Sequence, residues 1–278
     1  KKKIKKLNKK KEQYKEYQKI IKENDTTQVS LTDPQARSMV NNQKVEVCYN
    51  VQSVVEEKNK LIVDYKATNK TKDYDLLSVM AKRAKNILNV ESLEVLADKG
   101  YHKALEIKEC IDNNINPYIP KPERKSKYFS VEDFKYDSNN DCFICPNGET
   151  LELSNHYKRN DKSYKRYNNK EACQNCKLKN KCTRAKSRYV NRWEHQDIID
   201  KVEKQTKQNW DKYKKRQWLV EHPFGTIKRQ FGAYYLLTKG INSVSAEMGL
   251  SFCAYNIKRV INILGNKELI KRLKKWAS

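Results

Sequence analysis

The chain has 278 residues, 37% of them hydrophobic, which suffices for one substantial core with an inserted module. Lys and Arg number 59 against 34 Asp and Glu, and the resulting net charge of +25 is too large for an ordinary enzyme of neutral substrates. It points to a salt-sensitive attraction to DNA or RNA, a Lys-inflated or ribosome-associated protein being the alternative. No apolar run approaches the roughly 20 residues that span a bilayer and no start resembles a signal peptide, so the expected location is the cytoplasm, with no membrane partner.

Residues 1–30 read as a basic helix. Ile4, Leu7, Tyr14, Tyr17 and Ile21 fall on one narrow seam among lysines, so the helix either binds phosphates or is solvated and packed by one stripe. Asp33 is placed to cap a helix beginning at Pro34, which is the ordinary reading of an Asp before Pro. Val45, Val47, Tyr49 and Val51 alternate with polar residues, and Leu61–Tyr65 follows a polar break; together they predict a hairpin with Asp64 on its polar face. A helix over 73–89 would bury Leu76, Leu77, Met80, Ala84 and Ile87. The apolar run Leu93-Glu94-Val95-Leu96-Ala97 predicts a strand ending at Asp98, then a helix from about His102 to Cys110 and a short strand at 116–120. These elements make 31–120 the first part of an α/β core.

Residues 121–201 form an insertion rich in Lys, Asn and Tyr and poor in aliphatic residues, which by itself is expected to lack a core. Cysteines are the candidate staple. Cys142-x2-Cys145 and Cys173-x2-Cys176, with Cys182, have the spacing of tetrahedral zinc ribbons, although five thiols compete for four places. Such a closed thiolate set implies a structural rather than catalytic Zn²⁺, unmetallated loop thiols being the alternative. Cys48, Cys110 and Cys253 read as core.

Residues 202–278 form a C-terminal helical part. A polar helix from about Glu194 leads into Tyr213–Glu221, and Pro223 predicts a kink or break just beyond. On a continuous helix Glu221 and Lys228 would lie about two turns apart on one face. His222 reads as packed or capping. Gly232, Gly240 and Gly249 punctuate the following stretch, and an apolar helix with Leu250, Phe252, Cys253, Tyr255, Val260, Ile261 and Leu264 precedes a basic tail at 267–275. An acid at a strand tip, Asp98, and an acid on a later helix, Glu221, are what a fold needs to bring two carboxylates to one divalent site. Hard, octahedral Mg²⁺, or Mn²⁺, suits such oxygens.

Ala97-Asp98-Lys99-Gly100-Tyr101, Glu221-His222-Pro223-Phe224-Gly225 with Lys228, and Ala254-Tyr255-Asn256-Ile257-Lys258-Arg259 resemble bacterial insertion-sequence transposases with an RNase H-like DDE core. Tyr213, Arg216, Glu221 and Lys228 follow the signature Tyr-x2-Arg-x3-Glu-x6-Lys with one extra residue between Arg and Glu. The resemblance, from about Leu31 to about Leu264, implies an RNase H-like mixed sheet with helices, interrupted by a Cys-rich, zinc-ribbon-like insertion. It implies Asp98 and Glu221 as catalytic metal ligands, Arg216 and Lys228 as DNA-phosphate contacts, and Cys145, Cys173, Cys176 and Cys182 as the zinc set, leaving Cys142 over. It implies metal-dependent cleavage of transposon ends and strand transfer into double-stranded target DNA, a homodimer, and a place at the bacterial nucleoid. A first strand carrying a further Asp is expected upstream; the chain opens at Lys1-Lys2-Lys3 inside the helix that would follow it. An N-terminally truncated chain with two of three acids is therefore expected to bind DNA and cleave it poorly. The competing classes are a non-catalytic basic zinc-ribbon protein or decayed transposase remnant, and an RNase H-like nuclease without transposition.

Overall fold

The structure, a computed structural model, describes residues 2–23, 26–41, 44–123, 126–160 and 162–277. In chain order the helices and strands begin with α1 (Lys2–Glu23), β1 (Arg37–Asn41), β2 (Lys44–Cys48), β3 (Asn50–Val55), β4 (Ile62–Thr68), α2 (Leu77–Leu88), β5 (Leu93–Leu96), α3 (Ala104–Asp112) and β6 (Ile115–Tyr118). They continue with β7 (Lys135–Asp137), β8 (Cys142–Ile144), β9 (Thr150–Arg159), β10 (Lys162–Asn168), α4 (Lys170–Gln174), α5 (Lys179–Cys182), β11 (Val190–Trp193) and α6 (Gln196–Gln208). The chain closes with α7 (Trp210–Arg229), α8 (Ile241–Leu264) and α9 (Asn266–Ala277). The result is a mixed α/β chain in two compact units, Lys1–Tyr118 with Asn209–Ser278, and Ile119–Gln208. Residues 1, 24 and 25 of the expected basic segment lie outside the described residues.

In the first unit β3 and β4 form an antiparallel ladder and β5 and β6 a parallel one, each a separate two-stranded sheet. Helix α2 packs on β3, β4 and β5. Its Leu77, Met80, Ala81 and Ala84 are buried, whereas Ile87 is exposed because the apolar stripe is narrower than its spacing suggests. A core of Ile62, Ile227, Met248, Phe252 and Tyr255 joins β4 to α7 and α8, and Val51, Val55, Tyr65 and Phe224 pack around it. Each such side chain removed from water contributes about 1.5–3 kcal/mol. Gly249 is required here: a Cβ at that position would overlap the Tyr65 hydroxyl. Cys253, read as core, is exposed on α8, as is Leu250 of the same apolar helix, and Cys48 is only half-buried; Cys110 is buried.

Three local expectations are corrected. The alternating run 45–55 is two strands, for β2 pairs with β1 and only β3 pairs with β4. The chain switches partners at Tyr49, whose hydroxyl donates to Asp33 Oδ2 at 2.7 Å. Asp33 caps no helix: its Oδ1 accepts from Gln35 N in a turn, and Oδ2 also accepts from Gly240 N. Burial works against its charge, but these donors prevail and hold its pKa below the ordinary carboxylate value. Asp64 is buried rather than on a polar face, ion-paired with Arg83 of α2 at 2.7 Å.

The second unit is a five-stranded antiparallel sheet ordered β11-β10-β9-β8-β7. The expectation that this segment lacks a core fails because aromatic residues replace the missing aliphatics: Phe134, Phe143 and Tyr167, with Leu151 and Val190, are buried together. The Tyr136 and Tyr167 hydroxyls and the Lys165 ammonium all donate to Asp141 in the β7–β8 turn. Led by the Lys165 hydrogen bond, these donors lower the Asp141 pKa to about 2. The polar helix expected from Glu194 to Glu221 divides into α6 and α7 around Asn209, and the basic tail is the helix α9.

Candidate active site and cysteine cluster

Asp98 ends β5 and caps a 3-10 turn, Lys99–Tyr101, its Oδ1 accepting from Lys99 N at 2.8 Å. The turn is anchored through Tyr101, whose hydroxyl donates to Gln52 Oε1 on β3; Gln52 and Asn50 in turn donate to Asp73 Oδ1 at 2.9 and 2.7 Å. Burial, then the Asp73 and Asp98 carboxylates, raise the Tyr101 hydroxyl above the ordinary phenol range, so it stays a donor. Sequence reasoning missed Asp73 and Gln52; an Asp shortly before a helix reads as a cap, and a Gln on a strand carries no signal.

Helix α7 meets Asp98 from its N-terminal half. Lys212 bonds Glu94 on β5 and lies over the Tyr118 ring of β6, which docks this end of the helix. One turn on, Arg216 brings Nη2 to 3.8 Å from Asp98 Oδ1. Asp98 is half exposed, so this pair is worth at most about 1 kcal/mol and a stronger ligand can displace it. The Arg216 Nε is buried with no hydrogen-bond partner.

The helix continues through Pro223 without the expected break, so Glu221 and Lys228 share a face of one helix. Both are exposed, and among the described residues neither makes a hydrogen bond or ion pair. Five helical positions separate Arg216 from Glu221, about 140° around the axis. The structure thus joins Asp98 to Arg216 but shows no contact between either and Glu221. His222, read as packed or capping, is exposed and is held by one contact: its Nδ1 lies 3.0 Å from the Tyr255 hydroxyl, which itself donates to Lys60 O. Among the described residues no group of three His, Cys, Asp or Glu side chains is arranged to hold a metal ion.

In the second unit Cys145, Cys173, Cys176 and Cys182 line one small cavity of about 30 Å³, room for a single water or ion. Cys142 is buried on β8 and is absent from that lining, which separates it from the four. All eight cysteines are free thiols. Burial raises the Cys182 thiol pKa, and the neighbouring Cys173, Cys176 and Cys145 oppose another negative charge beside them. The four border the same space without forming a ready ligand set.

Residues 144–261 match the family described as Transposase DDE domain. The matched stretch takes in the four cavity cysteines, Arg216, Glu221 and Lys228, and leaves Asp98 outside it. No curated protein matches the chain. No solved structure matches it either. The match supports a likeness to transposases with a DDE domain. No helix among the described residues is long and apolar enough to cross a membrane.

Proposed function

We propose that this chain cleaves DNA at transposon ends and joins the freed 3′-hydroxyl to target DNA, with Asp98 and Glu221 as the acids. The match of residues 144–261 to a transposase DDE domain carries this reading. The donor chemistry fits: Asp98 is half exposed and weakly held, and Glu221 is exposed and uncommitted. These two carboxylates would hold Mg²⁺ or Mn²⁺, which supplies charge neutralisation at the phosphodiester and a more acidic bound water. Arg216 would offer the Nη end of its planar guanidinium, which faces Asp98, to a phosphate, and Lys228 adds a point charge further along α7. The Tyr101–Gln52–Asp73 chain keeps the turn after Asp98 in place, so that the carboxylate need not be ordered when DNA arrives.

An RNase H-like sheet is supported by two ladders that share α2. Among the described residues the outer edges of β3 and β5 have no ladder partner, and one strand paired to both would join them into a mixed sheet. In the second unit Cys145, Cys173, Cys176 and Cys182 would hold Zn²⁺ as a closed structural set, with no position left for substrate.

The test is nicking of supercoiled DNA bearing the element's ends, in Mg²⁺ and in Mn²⁺. With two acids the expected rate is low and drops to background in Asp98→Asn and Glu221→Gln, while DNA affinity is kept. Unchanged nicking in both variants would overturn the assignment. The second reading, a non-catalytic DNA-binding remnant, is favoured by the lack of a three-acid cluster among the described residues. It predicts no metal-dependent nicking from the unaltered chain.

A further inference from the structure

Outside both sites, the β9–β10 hairpin treats the cations on its two faces differently. By strand alternation Lys165 lies on one face, and Arg192 follows on β11 in the row beside it. Both are neutralised, Lys165 by Asp141 at 2.7 Å and Arg192 by Asp197 and Asp200. On the opposite face the register aligns Arg159 with Lys162, Tyr157 with Tyr164, and Asn155 with Arg166. No carboxylate among the described residues pairs with Arg159, Lys162 or Arg166; Asp161 lies outside the described residues.

Aromatic rings take the place of the acids. Tyr157 and Tyr164 stack at 5.3 Å with 15° between planes, Arg166 lies 4.5 Å above the Tyr157 ring, and Lys162 lies 5.5 Å from the Trp193 ring. A ring orders a cation without cancelling its charge, so this face keeps its positive field with its side chains partly immobilised.

We propose that this face of the β9–β10 hairpin is a docking surface for the phosphate backbone of duplex DNA. A two-stranded ribbon has the width to enter a major groove. Single strands are held on open aromatic faces, whereas Tyr157 is already stacked on Tyr164 and carries Arg166, so the rings support the cations and the cations meet the phosphates. The choice of DNA as the polyanion rests on the proposed transposase function.

The experiment is fluorescence anisotropy of the full chain with a labelled duplex of about 30 base pairs, over 50–200 mM salt. The double variant Arg159→Ala/Lys162→Ala leaves the Arg166–Tyr157–Tyr164 stack intact. It is expected to bind about tenfold more weakly and to flatten the log–log salt slope by about 2, one for each phosphate no longer neutralised. The control Lys267→Ala/Lys271→Ala on α9 removes the same charge and is expected to keep the slope. An unchanged slope in the hairpin variant, an equal loss in both variants, or tighter binding of a single strand of the same length overturns the surface alone. Absence of duplex binding by the unaltered chain overturns the surface and the DNA reading together.

Discussion

The two units solve the problem of a Lys-rich sequence by different chemistry. The first buries an ordinary apolar core under α7 and α8 and leaves its candidate acids, Asp98 and Glu221, half or fully exposed. The second has few aliphatic residues and packs rings around a sheet, with one carboxylate, Asp141, collecting three donors and four thiols lining a cavity beside the rings. A unit built on packing tolerates loss of charge; a unit built on polar convergence depends on each group that converges.

The widest separation between the units is expected on removing metal. If Zn²⁺ occupies the cysteine cavity, chelation or Cys176→Ser should unfold the second unit and abolish its near-UV aromatic signal, since structural zinc contributes on the order of 10 kcal/mol in small domains. The first unit should melt as before. A metal content of zero in the purified chain, with the aromatic signal intact, would break this part of the comparison. Next in size, Phe252→Ala removes a ring packed edge-on against Tyr65 and Phe224 and should cost the first unit about 3–5 kcal/mol in denaturant titrations. The second unit's transition should not move.

Gly249→Ala is a smaller probe of the same core. It drives a methyl group into the Tyr65 hydroxyl and should cost about 1–3 kcal/mol, part of which returns in the double variant with Tyr65→Phe. No recovery would show that the helix, not the hydroxyl, sets the limit. The smallest effect belongs to Asp141. Its folded pKa of about 2 lies below the ordinary 3.8, so its contribution is fully present above about pH 4 and is lost as pH falls toward 2. Asp141→Asn should therefore flatten the difference in the second unit's stability between pH 4 and pH 2, read as the urea midpoint at each pH. An unchanged acid dependence would mean that the Tyr136, Lys165 and Tyr167 donors are not acting through this charge.

What the sequence discloses is unequal in the same way. The strand ending at Asp98 was legible because Leu93–Leu96 is a short apolar run closed by a turn, and the thiol cluster because paired Cys-x2-Cys spacing has few other uses. The hairpin at 45–55 was misread because period-2 alternation runs unbroken across Tyr49, and alternation does not say which neighbour a strand pairs with. The aromatic core of the second unit escaped notice because hydropathy undervalues Tyr, whose ring is buried while its hydroxyl finds an acid. Asp73 and Gln52 could not be found at all: their partnership with Tyr101 joins positions far apart in the chain.

That Asp33 accepts from Gly240, 207 residues later, has a consequence for synthesis. The first unit is discontinuous, so Ile62 must wait for Phe252, and the whole of Ile119–Gln208 leaves the ribosome before α7 and α8 exist to cover β4. At typical rates of 5–20 residues per second the last stretch takes roughly 4–14 s to make. The middle of the chain is therefore complete before the first unit's core can close, and β3–β6 lack the cover of α7 and α8 throughout that interval.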